Sequence, residues 1–206
     1  MGQILSIDKQ TENRFLNMYH IKARSVHDTP VHYFIASRSE KIDDLKVKTG
    51  ENHPDGVAIY SLYGEKRDKV VLIRQYRYSI GDYIYEFPAG LVEPGEAYRD
   101  AAVREMKEET GLTLTPLTVD DIYQRPYFTT IGMTDESCAT VYGYADGEPS
   151  ELLEEATEEI SVVFADRKEI RRILREENVS LICAFMLMHF LSEKEPFAFL
   201  TQETEE

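Results

Sequence analysis

The chain has 206 residues, with 23 Lys+Arg against 38 Asp+Glu for a formal net charge of −15, and it is 42% apolar and 11% aromatic. That length suits one domain, or one domain with an appendage, because single cores stop growing near roughly 250–300 residues; the apolar content excludes wholesale disorder. The acidic balance argues against general nucleic-acid binding, which needs cations to replace phosphate counterions, yet it permits a small anionic ligand if divalent metal ions supply local positive charge.

In chain order, residues 1–12 are polar and predicted to be loose. Met1-Gly2-Gln3-Ile4-Leu5-Ser6 fits an acylation pattern, read as chance because no basic patch follows to give a second membrane signal. There is no charged-then-apolar leader. From Phe15 to Ser37 the pattern is strand-like, with Val31–Ala36 rich in aromatic and β-branched residues. Thr49–Gly56 is a turn cluster. Strands are predicted over Val57–Tyr63, Val70–Arg77 and Tyr83–Phe87. A helix begins near Ala97 and ends at Gly111. Strands return at Leu112–Leu117, Ala139–Tyr144 and Ile160–Phe164, and helices at Arg167–Glu177 and Ser180–Glu193. This order predicts an α/β protein, a mixed sheet with helices packed on it.

Cys138 and Cys183 have no metal-like spacing and are too few for a disulfide framework. Cys183 lies in an apolar run too short to span a bilayer, which takes about 20 residues; the run reads as a core helix, and a reduced, cytoplasmic protein without a membrane anchor is expected. His20, His27, His32, His53 and His189 form no ligand spacing, and a Gly-Lys-Ser/Thr phosphate loop is absent.

The chemistry concentrates in Gly90–Leu112, GLVEPGEAYRDAAVREMKEETGL. On a helix, Glu105, Glu108 and Glu109 stand at i, i+3 and i+4 and share a face. Ala101 lies one turn earlier on that face, while Val103, Met106 and Thr110 turn toward another side, available for packing. Crowded carboxylates repel unless cations intervene, and hard oxygen ligands on a rigid helix suit Mg²⁺ or Mn²⁺. A solvated acidic face would explain the three glutamates alone. They are not alone: Glu93-Pro94-Gly95-Glu96 forms a turn before the helix, and Arg104 can pair with Glu96 to tie loop to helix.

Gly90, Glu96, Arg104-Glu105-Met106, Glu108-Glu109 and Gly111-Leu112 together resemble a complete Nudix box, with no departure in spacing. That resemblance implies an α/β/α sandwich with a central mixed sheet and a metal-dependent hydrolase of nucleoside diphosphate derivatives. It implies Glu105, Glu108 and Glu109 as metal ligands, with the carbonyl of Ala89, and Gly90, Glu96, Arg104 and Gly111 as structural members of the motif. Arg74-Gln75-Tyr76-Arg77, Tyr85–Gly90, Pro126 and Thr130–Glu136 are similar to the ADP-ribose pyrophosphatase branch, although Ile131 replaces the usual proline before glycine. Tyr127 stands where coenzyme A pyrophosphatases carry a tyrosine.

On this reading ADP-ribose or a related nucleotide sugar gives AMP and a sugar phosphate. Arg77 is a phosphate partner because its planar fork grips two oxygens, and Glu86 and Met133 are further substrate contacts. The catalytic set is Glu105 and Glu109 with a base from the acidic run before the last strand: Glu159 aligns best, Glu158 nearly as well, and Glu154 and Glu155 remain open. Alternatives are GDP-mannose or coenzyme A as substrate, or a non-catalytic ligand-sensing module. Adenine contacts from Phe15, Tyr19, Tyr33 or Phe34 are open, since such aromatics also build cores. Residues 1–55 are expected to form an antiparallel β segment and 56–206 the hydrolase domain. A few strands alone bury little apolar surface, so a homodimer through the N-terminal segment is expected.

Overall fold

The structure, a computed structural model, describes residues 2–150 and 159–201. The chain forms two compact units, Met1–Asp55 with Pro126–Cys138, and Gly56–Arg125 with Ala139–Glu206.

In the first unit β1 (Gln3–Lys9), β2 (Asn17–Arg24) and β3 (Pro30–Ser37) make an antiparallel sheet with β2 in the middle. Along β2, Asn17, Tyr19 and Ile21 are buried and Met18 and Lys22 exposed, the period-two pattern of a half-buried strand. Ile7, Tyr19, Ile21, Ile35 and Leu45 form a small core. Leu45 leads into the single turn α1 (Lys46–Thr49), ended by Gly50. β1 corrects the expectation of a loose N-terminus. Its first four residues are exposed, Ile4 and Leu5 included, but Ile7 pairs opposite Ile21 and is buried, and the ladder with β2 carries the rest.

The second unit begins with β4 (Gly56–Tyr63), β5 (Lys69–Arg77), β6 (Asp82–Glu86), β7 (Ala89–Leu91), α2 (Tyr98–Thr110), β8 (Thr113–Pro116) and the short α3 (Asp121–Gln124). In the first unit, β9 (Tyr127–Phe128) pairs with the first two residues of β10 (Ser137–Asp146). The second unit ends with β11 (Ile160–Ala165), α4 (Arg167–Glu176) and α5 (Leu181–Ser192). Its mixed sheet runs β11-β5-β4-β10-β8.

Alternation on these strands sends side chains into two cores. Val57 and Ile59 of β4, Val71 of β5 and Val141 of β10 pack on Ala101, Ala102 and Met106 of α2. Tyr60, Leu62, Val70, Leu72 and Tyr142 pack on Ile170, Ile173, Cys183, Leu187 and Phe190 of α4 and α5. Helices therefore cover both faces, an α/β/α sandwich. α4 is started by Asp166, whose carboxylate accepts from the backbone N–H groups of Lys168 and Glu169, both at 2.8 Å. α5 is less buried than its apolar sequence predicts: Leu181, Phe185 and Met188 are exposed. No helix among the described residues is long and apolar enough to cross a membrane.

One feature of the sheet positions the chemistry. β4 and β5 pair only at Leu62–Val70 and Tyr63–Lys69. Beyond that they part; β6 pairs with β5, β7 with β4, and Ile59 N–H donates to the Pro88 carbonyl at 2.8 Å. Pro88-Ala89-Gly90 is thereby held in the fork.

Candidate active site

Helix α2 presents two different faces. Ala101, Ala102, Met106 and Thr110 are buried, while Val103, expected to pack, is exposed. Gly111 ends the helix with φ 74°, and its N–H donates to the Lys107 carbonyl at 3.0 Å. A Cβ at Gly111 would also stand 2.5 Å from Ser150 N, so both the left-handed backbone and the close approach require glycine.

Gly90, on β7, lies against Glu105 of α2, and a Cβ there would overlap the Glu105 carboxyl. One turn on, Glu109 is only 5% exposed. A carboxylate so enclosed needs hydrogen bonds to remain charged, and its Oε2 accepts from the Ala89 N–H at 3.0 Å.

Arg104 organises the loop. Its Nε and Nη2 donate to the two oxygens of Glu96 at 3.0 and 2.9 Å, a bidentate pair. Nη2 also donates to the Leu91 carbonyl at 3.0 Å. Nη1 donates to Glu105 Oε1 at 2.7 Å and Glu108 Oε2 at 3.0 Å. The Arg104 guanidinium, and then the Glu93 N–H, hold the Glu96 carboxyl below its ordinary pKa. The same carboxylates raise the pKa of Arg104, Glu96 contributing most. The tie between Glu96 and Arg104 matches the sequence expectation; its extension to Glu105 and Glu108 was not foreseen.

Glu105 and Glu108 thus converge on one cationic nitrogen. Such a donor set, hard oxygens with little room between them, fits a divalent ion. Glu109 and the Ala89 carbonyl are the other expected ligands. Among the described residues no three His, Cys, Asp or Glu side chains already close on one point; Glu105 and Glu108 bond Arg104, and Glu109 bonds the Ala89 N–H.

A second group lies at β5, β6 and β11. Arg77 Nε donates to Glu86 Oε2 at 2.7 Å. The Tyr83 hydroxyl donates to the Glu159 carboxylate, and the Arg74 guanidinium sits 3.8 Å from the Tyr83 ring centroid. The Glu159 carbonyl accepts from Tyr76 N–H at 3.2 Å, which fixes the residue at the mouth of β11. Arg74 belongs to the run that resembles the ADP-ribose pyrophosphatase branch, but its stacking on Tyr83 and the bond of Tyr83 to Glu159 depend on register, with Tyr83 opposite Tyr76 and Arg74 opposite both Tyr85 and Ser161. Glu158, Glu154 and Glu155 lie outside the described residues.

Met133 belongs to the first unit; it is 69% exposed, and its carbonyl accepts from Ala36 N–H at 2.9 Å. Among the four aromatics weighed for adenine, Tyr19 is core, with its hydroxyl donating to the Ser39 carbonyl at 2.6 Å, and Phe15, Tyr33 and Phe34 are exposed.

The NUDIX domain model matches residues 52–185. The putative nudix hydrolase 2 of Caenorhabditis elegans is 34% identical over 131 residues, 60% of this chain and 56% of that protein. The ADP-ribose pyrophosphatase of Bacillus subtilis (strain 168) is 33% identical over 95 residues, 42% of this chain and 50% of that protein. The chain thus spans about half the length of these curated relatives. The crystal structure of an ADP compounds hydrolase superposes with a TM-score of 0.65 at 18% identity, over 93% of this chain and 94% of the other, a likeness of fold.

Proposed function

The chain belongs to the Nudix family, and on that premise we propose that it is a metal-dependent hydrolase of ADP-ribose or a related nucleoside diphosphate sugar, releasing AMP and a sugar phosphate. The observation that carries the reading is the convergence of Glu105 and Glu108 on one cationic nitrogen of Arg104, with Glu109 held at Ala89 beside them.

Mg²⁺ or Mn²⁺, when bound by Glu105, Glu108, Glu109 and the Ala89 carbonyl, would neutralise diphosphate oxygens and polarise phosphorus. The protein's own residues do the rest. Gly90 leaves room for Glu105 beside the strand. Arg104 holds the loop on the helix through Glu96. Arg77, oriented by Glu86, binds a diphosphate oxygen through its remaining N–H groups. Glu159, oriented by Tyr83, takes the proton from the attacking water, with Glu158 as the neighbouring candidate.

The N-terminal β segment, residues 1–55, serves as the dimerisation segment in this reading, supported by exposed Phe15, Met18, Tyr33 and Phe34. A reducing, cytoplasmic setting is supported by two free cysteines, Cys138 and Cys183.

The test is a panel of ADP-ribose, GDP-mannose and coenzyme A in Mg²⁺ or Mn²⁺. AMP should appear from ADP-ribose and cease in EDTA or in Glu109→Gln. A higher kcat/KM for GDP-mannose or coenzyme A would move the substrate assignment there. No turnover of any compound would leave a ligand-sensing module.

A further inference from the structure

Given the homodimer already proposed, we infer that its contact is the outer face of the β1-β2-β3 sheet and that the His20–His32 pair makes this contact sensitive to pH. Register sorts the side chains of the sheet. Ile7, Tyr19, Ile21 and Ile35 point to the small core. The alternate positions Asp8, Met18, His20, Lys22, His32 and Phe34 therefore lie on the other side. His20 stands opposite Asp8 of β1 and Phe34 of β3, and Lys22 stands opposite His32.

A chain of net charge −15 repels its own copy, so two copies meet most readily where charge is balanced locally. On this face it is. Lys22 Nζ is 2.8 Å from Asp8 Oδ2, and Arg24 Nη1 is 3.0 Å from Asp28 Oδ1 in the turn that follows. With them stand exposed Met18 and Phe34. The Phe34 ring lies flat on the His20 ring, with centroids 4.5 Å apart and planes 7° from parallel. A neutral face with exposed apolar side chains can pair with its own copy about a twofold axis, and such a pair is closed.

The balance holds only while the imidazoles stay short of full protonation. His20 Nε2 and His32 Nδ1 are 2.9 Å apart. One of these nitrogens must carry a proton and the other must not, so the bond survives with the pair neutral or singly charged and breaks when both rings are imidazolium. A first proton finds Asp8 opposite His20. A second finds no counter-charge, because the Asp8 carboxylate already bonds Lys22, and Lys22 stands opposite His32 as a like charge. That same lysine holds the Asp8 carboxyl below its ordinary value, so Asp8 stays ionised as the imidazoles titrate.

Histidine is the side chain whose charge changes between about pH 5 and 8. Acidification across that range opens the His20–His32 bond and turns a neutral face positive on both copies at once. Like charges brought together across a contact weaken it, and separation of the chains relieves the repulsion. The dimer is therefore favoured at high pH and released at low pH.

The experiment is light scattering of the full chain over a concentration series at about pH 8 and about pH 5.5. The parent should be a dimer at the higher pH, and its dissociation constant should rise at least about tenfold at the lower, because each separating chain takes up protons that the dimer resists. His32→Asn removes one titrating ring and keeps an acceptor near the place of Nδ1, and His20→Gln keeps a donor near the place of Nε2. Both variants should dimerise at both pH values, with dissociation constants that differ less than about threefold between them. Lys22→Glu turns the balanced face acidic and should give single chains even at the higher pH. Circular dichroism of each variant confirms its fold. A parent dimer with equal affinity at the two pH values, or a fall of parental size in both histidine variants, overturns the role of the pair and leaves the dimer standing. A Lys22→Glu chain that dimerises as the parent does places the contact on another surface. A parent that is monomeric at the higher pH overturns the dimer and this control together. Turnover is not the readout, so each of these results leaves the hydrolase assignment untouched.

Discussion

The Glu105 carboxyl lies against the α-carbon of Gly90, in the volume that a Cβ would take. Gly90→Ala should therefore displace the carboxylate, which is the far end of a flexible side chain, and leave the strand in place. Misplacement of about 1 Å at a reacting centre costs about 10² in rate, so turnover in saturating Mg²⁺ should fall by that order while the urea midpoint changes little. Near-normal turnover would mean that Glu105 has no part in the chemistry.

Arg104 binds three carboxylates, and its side chain is 28% exposed. Arg104→Ala leaves Glu96, Glu105 and Glu108 facing one another and should lower the unfolding free energy by about 1–3 kcal/mol. Mg²⁺ should recover more stability in this variant than in the parent, because a ligand that binds only the folded state stabilises it by mass action and Arg104 no longer competes for the carboxylates. Urea titrations with and without Mg²⁺ measure both effects. Equal responses to Mg²⁺ would show that the metal does not use these oxygens.

Two carboxyls give the acid limb of stability a defined sign. Glu96 is held below its ordinary 4.5 by Arg104 and the Glu93 N–H, and Asp166 below its ordinary 3.8 chiefly by the Glu169 N–H. A carboxyl with a depressed folded pKa contributes stability that is present above the unfolded value and lost as pH falls through the folded one. Stability should decline from about pH 4.5 downward, and Glu96→Gln with Asp166→Asn should make that decline shallower. Thermal melts between pH 3 and 7 provide the check, and an unchanged slope counts against both contacts.

Glu159→Gln should lower turnover by about 10²–10⁴, the usual contribution of a general base, without altering metal affinity. Tyr83→Phe keeps the ring under Arg74 but removes the hydroxyl that bonds Glu159. It should produce a smaller loss of turnover than Glu159→Gln. Full turnover in both variants would place the base elsewhere, with Glu158 next to be tested.

Exposed Phe15 and Phe34 of the first unit lead to a prediction about assembly. Light scattering at micromolar concentration should give twice the 23.8 kDa of one chain, and Phe15→Glu with Phe34→Glu should give single chains. A parent chain that scatters as a monomer at full activity removes the dimer.

What sequence alone determined is what depends on local spacing. The i, i+3, i+4 placement of Glu105, Glu108 and Glu109, the helix stop at Gly111 and the pairing of Arg104 with Glu96 were legible because helical periodicity and a tight turn act over a few residues. Short apolar runs rich in β-branched and aromatic residues likewise marked β4, β5 and β10. Tertiary structure decided the rest. β1 looks loose in sequence because its stabilising partner is a neighbouring strand, opposite Ile21. The exposed stripe on α5 could not be told from a buried one, since the helix is apolar all round and only packing selects its inner face. Tyr83 meets Glu159 across 76 residues, and the Gly90 α-carbon meets the Glu105 carboxyl only because β4 and β5 part and let β7 into the fork. Those contacts are set by strand register, and register is fixed by which faces the whole sheet buries.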